Sequence, residues 1–151
     1  FESQFEGGKE FIMQVESAIR NGRRSAPPVG ILHNDYNTQN VLYKFGVVTG
    51  IIDFDWCIVG PQIKDLAHGA LEWSCSERTR EPDLTNFYSF VSGYNAVAEK
   101  KYSTGREFIF WVQFSALSET ATYFCNRLKV PDLVRSIPLS YMYSAYKFFS
   151  K

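Results

Sequence analysis

The spacing of apolar residues changes character once along this chain, and that change limits the folds open to it. Between Val29 and Asp53 apolar residues come in short runs, Val29 to His33, Val41 to Lys44 and Val47 to Asp53. From Ile63 onward they recur every three or four residues. Leu66, Ala70 and Trp73 form one set, Leu84, Phe87, Phe90, Val91, Tyr94 and Val97 a second, and Phe108, Trp111, Phe114, Leu117, Ala121, Phe124 and Leu128 a third. Short runs read as strands and the three-to-four period as helices. Val29 to His33 reads as a buried strand, and the other two runs as a hairpin around a tight turn at Phe45-Gly46. An earlier helix is expected over residues 3–21, with Phe5, Phe11, Ile12, Val15 and Ile19 on one face and a stop at Asn21-Gly22. Pro27-Pro28 and Gly60-Pro61 are breaks, Pro131 should end the longest helix, and Pro138 should kink or split a last helical stretch over residues 132–149. Strands gathered early and helices late predict an α+β, mainly helical domain.

The totals narrow the partners. With 151 residues the chain suits one domain, and 45% hydrophobic and 17% aromatic content suits a packed core, not a disordered tail. Sixteen basic residues balance sixteen acidic ones, so charge gives no reason to expect nucleic acid or an anionic membrane. No apolar run reaches the roughly 20 residues of a membrane span. Cys57, Cys75 and Cys125 are odd in number and widely spaced, which fits free thiols in a reducing, cytoplasmic setting. The chain opens at Phe1 inside an expected helix, which reads as a piece of something longer.

The chemistry concentrates in Leu32-His33-Asn34-Asp35-Tyr36-Asn37-Thr38-Gln39-Asn40 and, one hairpin later, in Ile51-Ile52-Asp53-Phe54-Asp55. Phosphoryl transfer from ATP needs a carboxylate facing the attacking hydroxyl and hard oxygen ligands holding Mg²⁺ against the phosphates. Asp35 and Asn40 flank a short loop, and Asp53 closes an apolar strand from which it can project toward that loop. Taken singly, Asp35 could be a loop aspartate in an Asx turn and Asp53 a strand-ending turn residue. Together the three supply one base and two oxygen ligands. His68 reads as an ordinary helix residue. Trp73, Trp111 and Tyr123 read as core, with a cage for a cationic substrate as the alternative.

His-x-Asp-x-x-x-x-Asn followed by two apolar residues and Asp-Phe is the pattern of a kinase catalytic loop and its metal-binding aspartate. His33-Asn34-Asp35-Tyr36 to Asn40, Ile51 to Asp55, Gly60-Pro61 and Asp65-Leu66-Ala67 together resemble the phosphotransferase family that includes aminoglycoside, choline and homoserine kinases. The resemblance implies the C-terminal lobe of a protein-kinase-like fold, with a small β-hairpin beside the catalytic loop, over residues 1–151. It implies Asp35 as catalytic base, Asn40 and Asp53 as ligands of Mg²⁺ and through it of ATP, His33 as a brace of the loop, and Asp65 as a structural group that caps its helix or bonds back to the loop. The acceptor would be a small hydroxylated molecule, because no activation segment or Ala-Pro-Glu motif follows Asp53 to seat a protein.

Two departures accompany the resemblance. Asn34 stands where many members carry Gly, and Asn is the residue that best tolerates positive φ after Gly. The glycine-rich strand pair and phosphate-pairing lysine of the family's N-terminal lobe are missing from this sequence. Gly7-Gly8-Lys9 does not replace them, since Glu10 stands where a phosphate loop needs Ser or Thr. The chain by itself is therefore expected to be inactive and to expose an inter-lobe surface prone to self-association. A kinase-like scaffolding module without catalysis is the alternative reading. Residues 83–151 hold eight bases against five acids, which disfavours a polycationic acceptor, while Trp73 and the Ala121-to-Leu128 segment are similar to homoserine-kinase-like members.

Overall fold

The structure is a computed structural model that describes residues 7–21, 27–75, 81–127 and 141–151. Helix α1 spans Gly8–Asn21, and strand β1 spans Val29–Leu32. A 3₁₀ turn at Thr38–Asn40 leads into β2 (Val41–Lys44) and β3 (Val47–Ile51). Strand β4 (Ile58–Pro61) runs directly into α2 (Gln62–Ser74), followed by α3 (Leu84–Val97), α4 (Arg106–Arg127) and α5 (Tyr141–Phe148). The fold is mainly helical α+β. The expected helix start at residue 3, the stop at Pro131 and the kink at Pro138 lie outside the described residues.

The β2–β3 hairpin turns through Phe45 and Gly46, whose φ values of 52° and 77° are both positive. Positive φ at both central residues matches the right-handed twist of the strands, and Gly46 meets that demand without a Cβ penalty. Leu42 pairs with Gly50 and Tyr43 with Val48, so Thr49 is the extra residue of a bulge.

Two expectations need correction. Gly60-Pro61 is not only a break, because Ile58–Pro61 is a strand, antiparallel to β1, with Val29 opposite Pro61 and Leu32 opposite Ile58. Pro61 can sit there because it occupies the last position of a two-stranded sheet, where a missing N–H costs least. Nor is β1 a buried strand: Ile31 is 83% and Val29 64% exposed, and Leu32 alone is buried. A sheet of two strands leaves much of each face open to solvent, so an apolar run does not guarantee burial there.

The core lies among the helices. Phe87 of α3 is fully buried, with Phe108 of α4 edge-on at 6 Å (5.9 Å between centroids) and Phe149 at 5.0 Å. Leu66, Ala67, Ala70 and Leu71 of α2 and Val112 and Ala116 of α4 close the same cluster. On another side of α4, Leu117 packs with Phe11 of α1 and Tyr143 of α5, whose hydroxyl donates to Gln14 Oε1 at 2.8 Å. The long helix α4 is therefore the post on which α1, α2 and α5 are assembled.

Gly69 sits in the middle of α2, where glycine ordinarily costs about 1 kcal/mol against alanine. Its use is proximity: a Cβ there would lie 2.7 Å from Phe90 Cζ and 3.4 Å from Tyr36 Cδ1. Phe90 cannot easily yield, being packed against Trp73 at 5.8 Å and Tyr36 at 6.0 Å. Overpacking of this kind costs about 1–3 kcal/mol. Gly69→Ala should therefore lower the urea midpoint with an unchanged m-value, despite the better helix former, and a raised midpoint would show that Phe90 and Tyr36 are free to move.

Candidate functional site

The loop between β1 and β2 is fixed from three directions. From α2, the Asp65 carboxylate accepts the backbone N–H of His33 at 2.9 Å and of Asn34 at 2.8 Å. Asp65 thus bonds back to the loop and does not cap its helix, whose N-cap position is Pro61 with no side-chain hydrogen bond. Lys64 Nζ donates to Asn34 Oδ1, holding the side chain of a residue whose backbone takes φ 63°. Asparagine tolerates this left-handed conformation better than most residues, and here it is tied at both backbone and side chain.

From the hairpin, Ile52 N–H donates to Asn40 O at 3.0 Å, and the His33 ring Nε2 lies 3.0 Å from Ile52 O. Ile52, the residue preceding Asp53, is thereby tied through its N–H and its carbonyl to both ends of the loop. Asp53 itself follows with φ 64°, an unfavourable region for a residue with a Cβ, and its side chain is exposed. Such outliers cost of order 1–3 kcal/mol and persist only where surroundings enforce them.

Within the loop, both oxygens of Asp35 are engaged by amides. Asn37 Nδ2 donates to Oδ1 at 3.0 Å and Asn40 Nδ2 to Oδ2 at 2.8 Å. Asn40 Nδ2 also reaches the Asp35 carbonyl at 2.9 Å, so the amide nitrogen is spent and the carbonyl oxygen is the atom left to face a cation. Asn37 Oδ1 accepts from Gln39 N and Asn40 N, which closes the 3₁₀ turn and aims Asn40. Asn37 is a site residue that the sequence reading passed over. Its signal was the Asp-x-Asn spacing, which is common in turns and therefore weak.

A second group of residues faces the loop from the helices. Lys64, His68 and Glu72 stand four apart on α2 and so share one face. His68 is 2% exposed, and its Nδ1 lies 3.9 Å from Glu119 Oε1 of α4. Burial, aided by Lys64 and opposed by Asp65 and Asp35, pushes the His68 imidazole down to about 4. The pair with Glu119 is therefore not an ion pair at neutral pH. Burial pushes the Glu72 carboxyl up to about 7, with Glu119 and Asp35 adding to the shift. Burial and Asp35 also raise Glu119, against a lowering by Lys64, while burial lowers Lys64. Around the loop Asp65, Glu72 and Glu119 outnumber Lys64, and of these groups residues 83–151 contribute Glu119.

Trp73 and Trp111 serve packing. Tyr123, expected in the core, is exposed because it lies on the solvent side of α4. Trp73 is stacked on Tyr36 at 5.9 Å and also meets Phe90 and Tyr43, whereas Trp111 packs with Phe110 and Phe114. Among the described residues no group of three or more His, Cys, Asp or Glu side chains is placed to hold a metal. Nor is any helix among them long and apolar enough to cross a membrane.

Residues 3–99 match the model of the phosphotransferase enzyme family (APH). The match covers more than half of the chain, includes every loop residue described above, and shows that the chain belongs to this family. Over 70 residues the chain is 36% identical to a homoserine kinase from Phenylobacterium zucineum (strain HLK1), a stretch that covers 46% of this chain and 21% of that relative.

The raised Glu72 carboxyl has a measurable consequence. Between the ordinary value of 4.5 and about 7 the unfolded chain gives up this proton while the folded chain keeps it, so stability falls as pH rises through that window. Glu72→Gln removes the penalty. The melting temperature of Glu72→Gln relative to wild type should therefore be higher at pH 8 than at pH 4, and an equal difference at both values would mean that Glu72 is solvated like a surface carboxylate.

Proposed function

We propose that this chain is the C-terminal lobe of a small-molecule kinase, in which Asp35 orients and deprotonates an acceptor hydroxyl while Asn40 and Asp53 hold Mg·ATP. The carrying observation is the division of labour inside one loop. Asp35 is aimed by two amide donors, and Asn40, one of those donors, retains its carbonyl oxygen for a cation. A carboxylate and an amide carbonyl are hard oxygen ligands of the kind Mg²⁺ takes, and one or two from protein suffice when phosphates complete the shell. Asn40 and Asp53 would hold such an ion, which would supply charge neutralisation at the nucleotide's phosphates.

On this reading the acceptor oxygen forms a bond to the γ-phosphorus as the bond to the β–γ bridging oxygen breaks, and ADP leaves with that electron pair. The hydroxyl proton passes to Asp35. Each Asp35 oxygen accepts one amide N–H and has a lone pair remaining, so the carboxylate can be held still and still accept a proton. Asp65 holds the loop's backbone, Lys64 the Asn34 side chain and His33 the Ile52 carbonyl, so these three position the loop. A phosphate clamp would come from a second lobe. Exposed Ile52, Phe54 and Trp56 (43%, 57% and 58%) adjoin Asp53 and provide an apolar surface against which an adenine ring, a second lobe or another copy of the chain could close.

In the intact protein, with Mg·ATP and homoserine, choline or an aminoglycoside as acceptor, Asp35→Asn should lower kcat by about 10²–10⁴-fold and leave Mg·ATP affinity little changed. Loss of nucleotide affinity with kcat retained would make Asp35 a nucleotide ligand instead. In the same assay Asp53→Ala should abolish Mg·ATP-dependent turnover with an unchanged circular dichroism spectrum. Near-normal turnover in that variant would remove Asp53 from the mechanism.

A further inference from the structure

We infer that the cavity between β1, α2 and α3 binds a small uncharged aromatic molecule carrying a hydrogen-bond donor, of the phenol or indole class. Asp35, Asn40 and Asp53 do not line this cavity, so it is a second site and does not depend on the kinase reading.

The cavity measures about 530 Å³, within the range that small-molecule sites occupy. One wall is the stripe of α3 that carries Ser89, Gly93 and Val97 at four-residue steps, and another is Ile31 of β1. Ile31 and Val97 are 83% and 87% exposed, more than any other Val, Ile, Leu or Met among the described residues. One exposed aliphatic residue needs no explanation. Two that border a single cavity give it an apolar mouth.

Gly93 supplies an independent observation. Glycine inside a helix is less stable than alanine, and it is usually kept there for a packing reason. Gly69 follows that rule. A Cβ on Gly93, in contrast, would meet nothing within 4 Å, and Gly93 is not among the glycines with positive φ. Neither packing nor backbone conformation calls for glycine at this position. A side chain there would stand in the cavity, so its absence keeps that space for a ligand.

The lining names the class of ligand. Tyr36, Phe90 and Tyr94 offer aromatic surface to a flat ring. Asp65 is the one charged residue of the lining and no cation accompanies it there, so an anion is repelled. Walls made mostly of carbon make the desolvation of a cation costly as well. Each Asp65 oxygen accepts one backbone N–H and keeps a lone pair, and the Gln62 side chain adds an amide carbonyl. A phenol O–H or an indole N–H matches these acceptors. Asp65 and Tyr36 also join the cavity to the loop, because Asp65 holds the N–H groups of His33 and Asn34 and Tyr36 follows Asp35. A ligand resting on them steadies those two amides.

The test titrates the intact protein, without nucleotide, with 4-methylphenol and with indole, each beside its anionic counterpart, 4-hydroxybenzoate or indole-3-carboxylate. Binding is followed by ligand-observed NMR. At least one neutral probe should bind with a Kd below about 1 mM, and about 10-fold or more tighter than its carboxylate. Hydrogen exchange should slow both at His33 and Asn34 and over residues 89–97. Gly93→Leu places a side chain where the probe would sit. It should weaken binding by about 10-fold or more, with an equal or higher melting temperature and unchanged Mg·ATP affinity. Ser89→Leu, one turn earlier on the same stripe, takes its place if Gly93→Leu does not fold. Neutral probes that bind no better than their carboxylates, that bind the variant undiminished, or that leave either segment unprotected overturn the site. So does a dimer in sedimentation that Gly93→Leu dissociates, because a second copy of the chain would then be what covers the cavity.

Discussion

The Asp65 carboxylate accepts two successive backbone N–H groups, those of His33 and Asn34, and the geometry of the site depends on that pair of bonds. Hydrogen bonds to a charged acceptor contribute about 1.5–3 kcal/mol each, more than neutral ones. Because Asp65 lies in the first turn of α2, these bonds tie the start of the loop to a packed helix. The loop is then closed on its far side by Asn40 and the hairpin, through Ile52. Asp35 lies between the two anchors, and Asn37 and Asn40 set its carboxylate.

The helices contribute more than support. α2 is anchored in the core through Leu66, Ala67, Ala70 and Leu71, and its position beneath the loop relies on Gly69 letting Tyr36 and Phe90 come close. With that face buried, Lys64, His68 and Glu72 are turned toward the loop and α4. One helix therefore fixes the loop between β1 and β2 through its first turn and lines a neighbouring polar region through the next two. The family match covers the loop and α2, while Glu119 on α4 lies beyond it.

Legibility in the sequence followed the range of the interactions. Helices α3 and α4 could be read because a period of three to four residues is a local signal that survives any packing partner. The hairpin's location was readable for the same reason, but its turn type was not, since Phe45 rather than a glycine takes the first positive φ. Strand β4 was missed because it exists only by pairing with β1, about thirty residues earlier, and its Gly60-Pro61 ending reads locally as a break. The exposure of β1 was misjudged because burial depends on what covers a strand, and Val29 and Ile31 are barely covered.

For the site, the sequence by itself marked out a set of groups, His33, Asp35, Asn40, Asp53 and Asp65, at a spacing dense enough to be recognised as a motif. Tertiary structure alone decided how each is used. It gave Asp65 to the backbone of the loop, spent the amide nitrogen of Asn40 on Asp35, and made Asn37 part of the site. It also brought Glu119 to His68 across fifty-one positions of chain (119 − 68), a meeting set by how α2 packs on α4. Hydrogen-bond direction and charge proximity are properties of distance in space, and a linear pattern constrains such distances only over the few residues that a turn or a helix fixes.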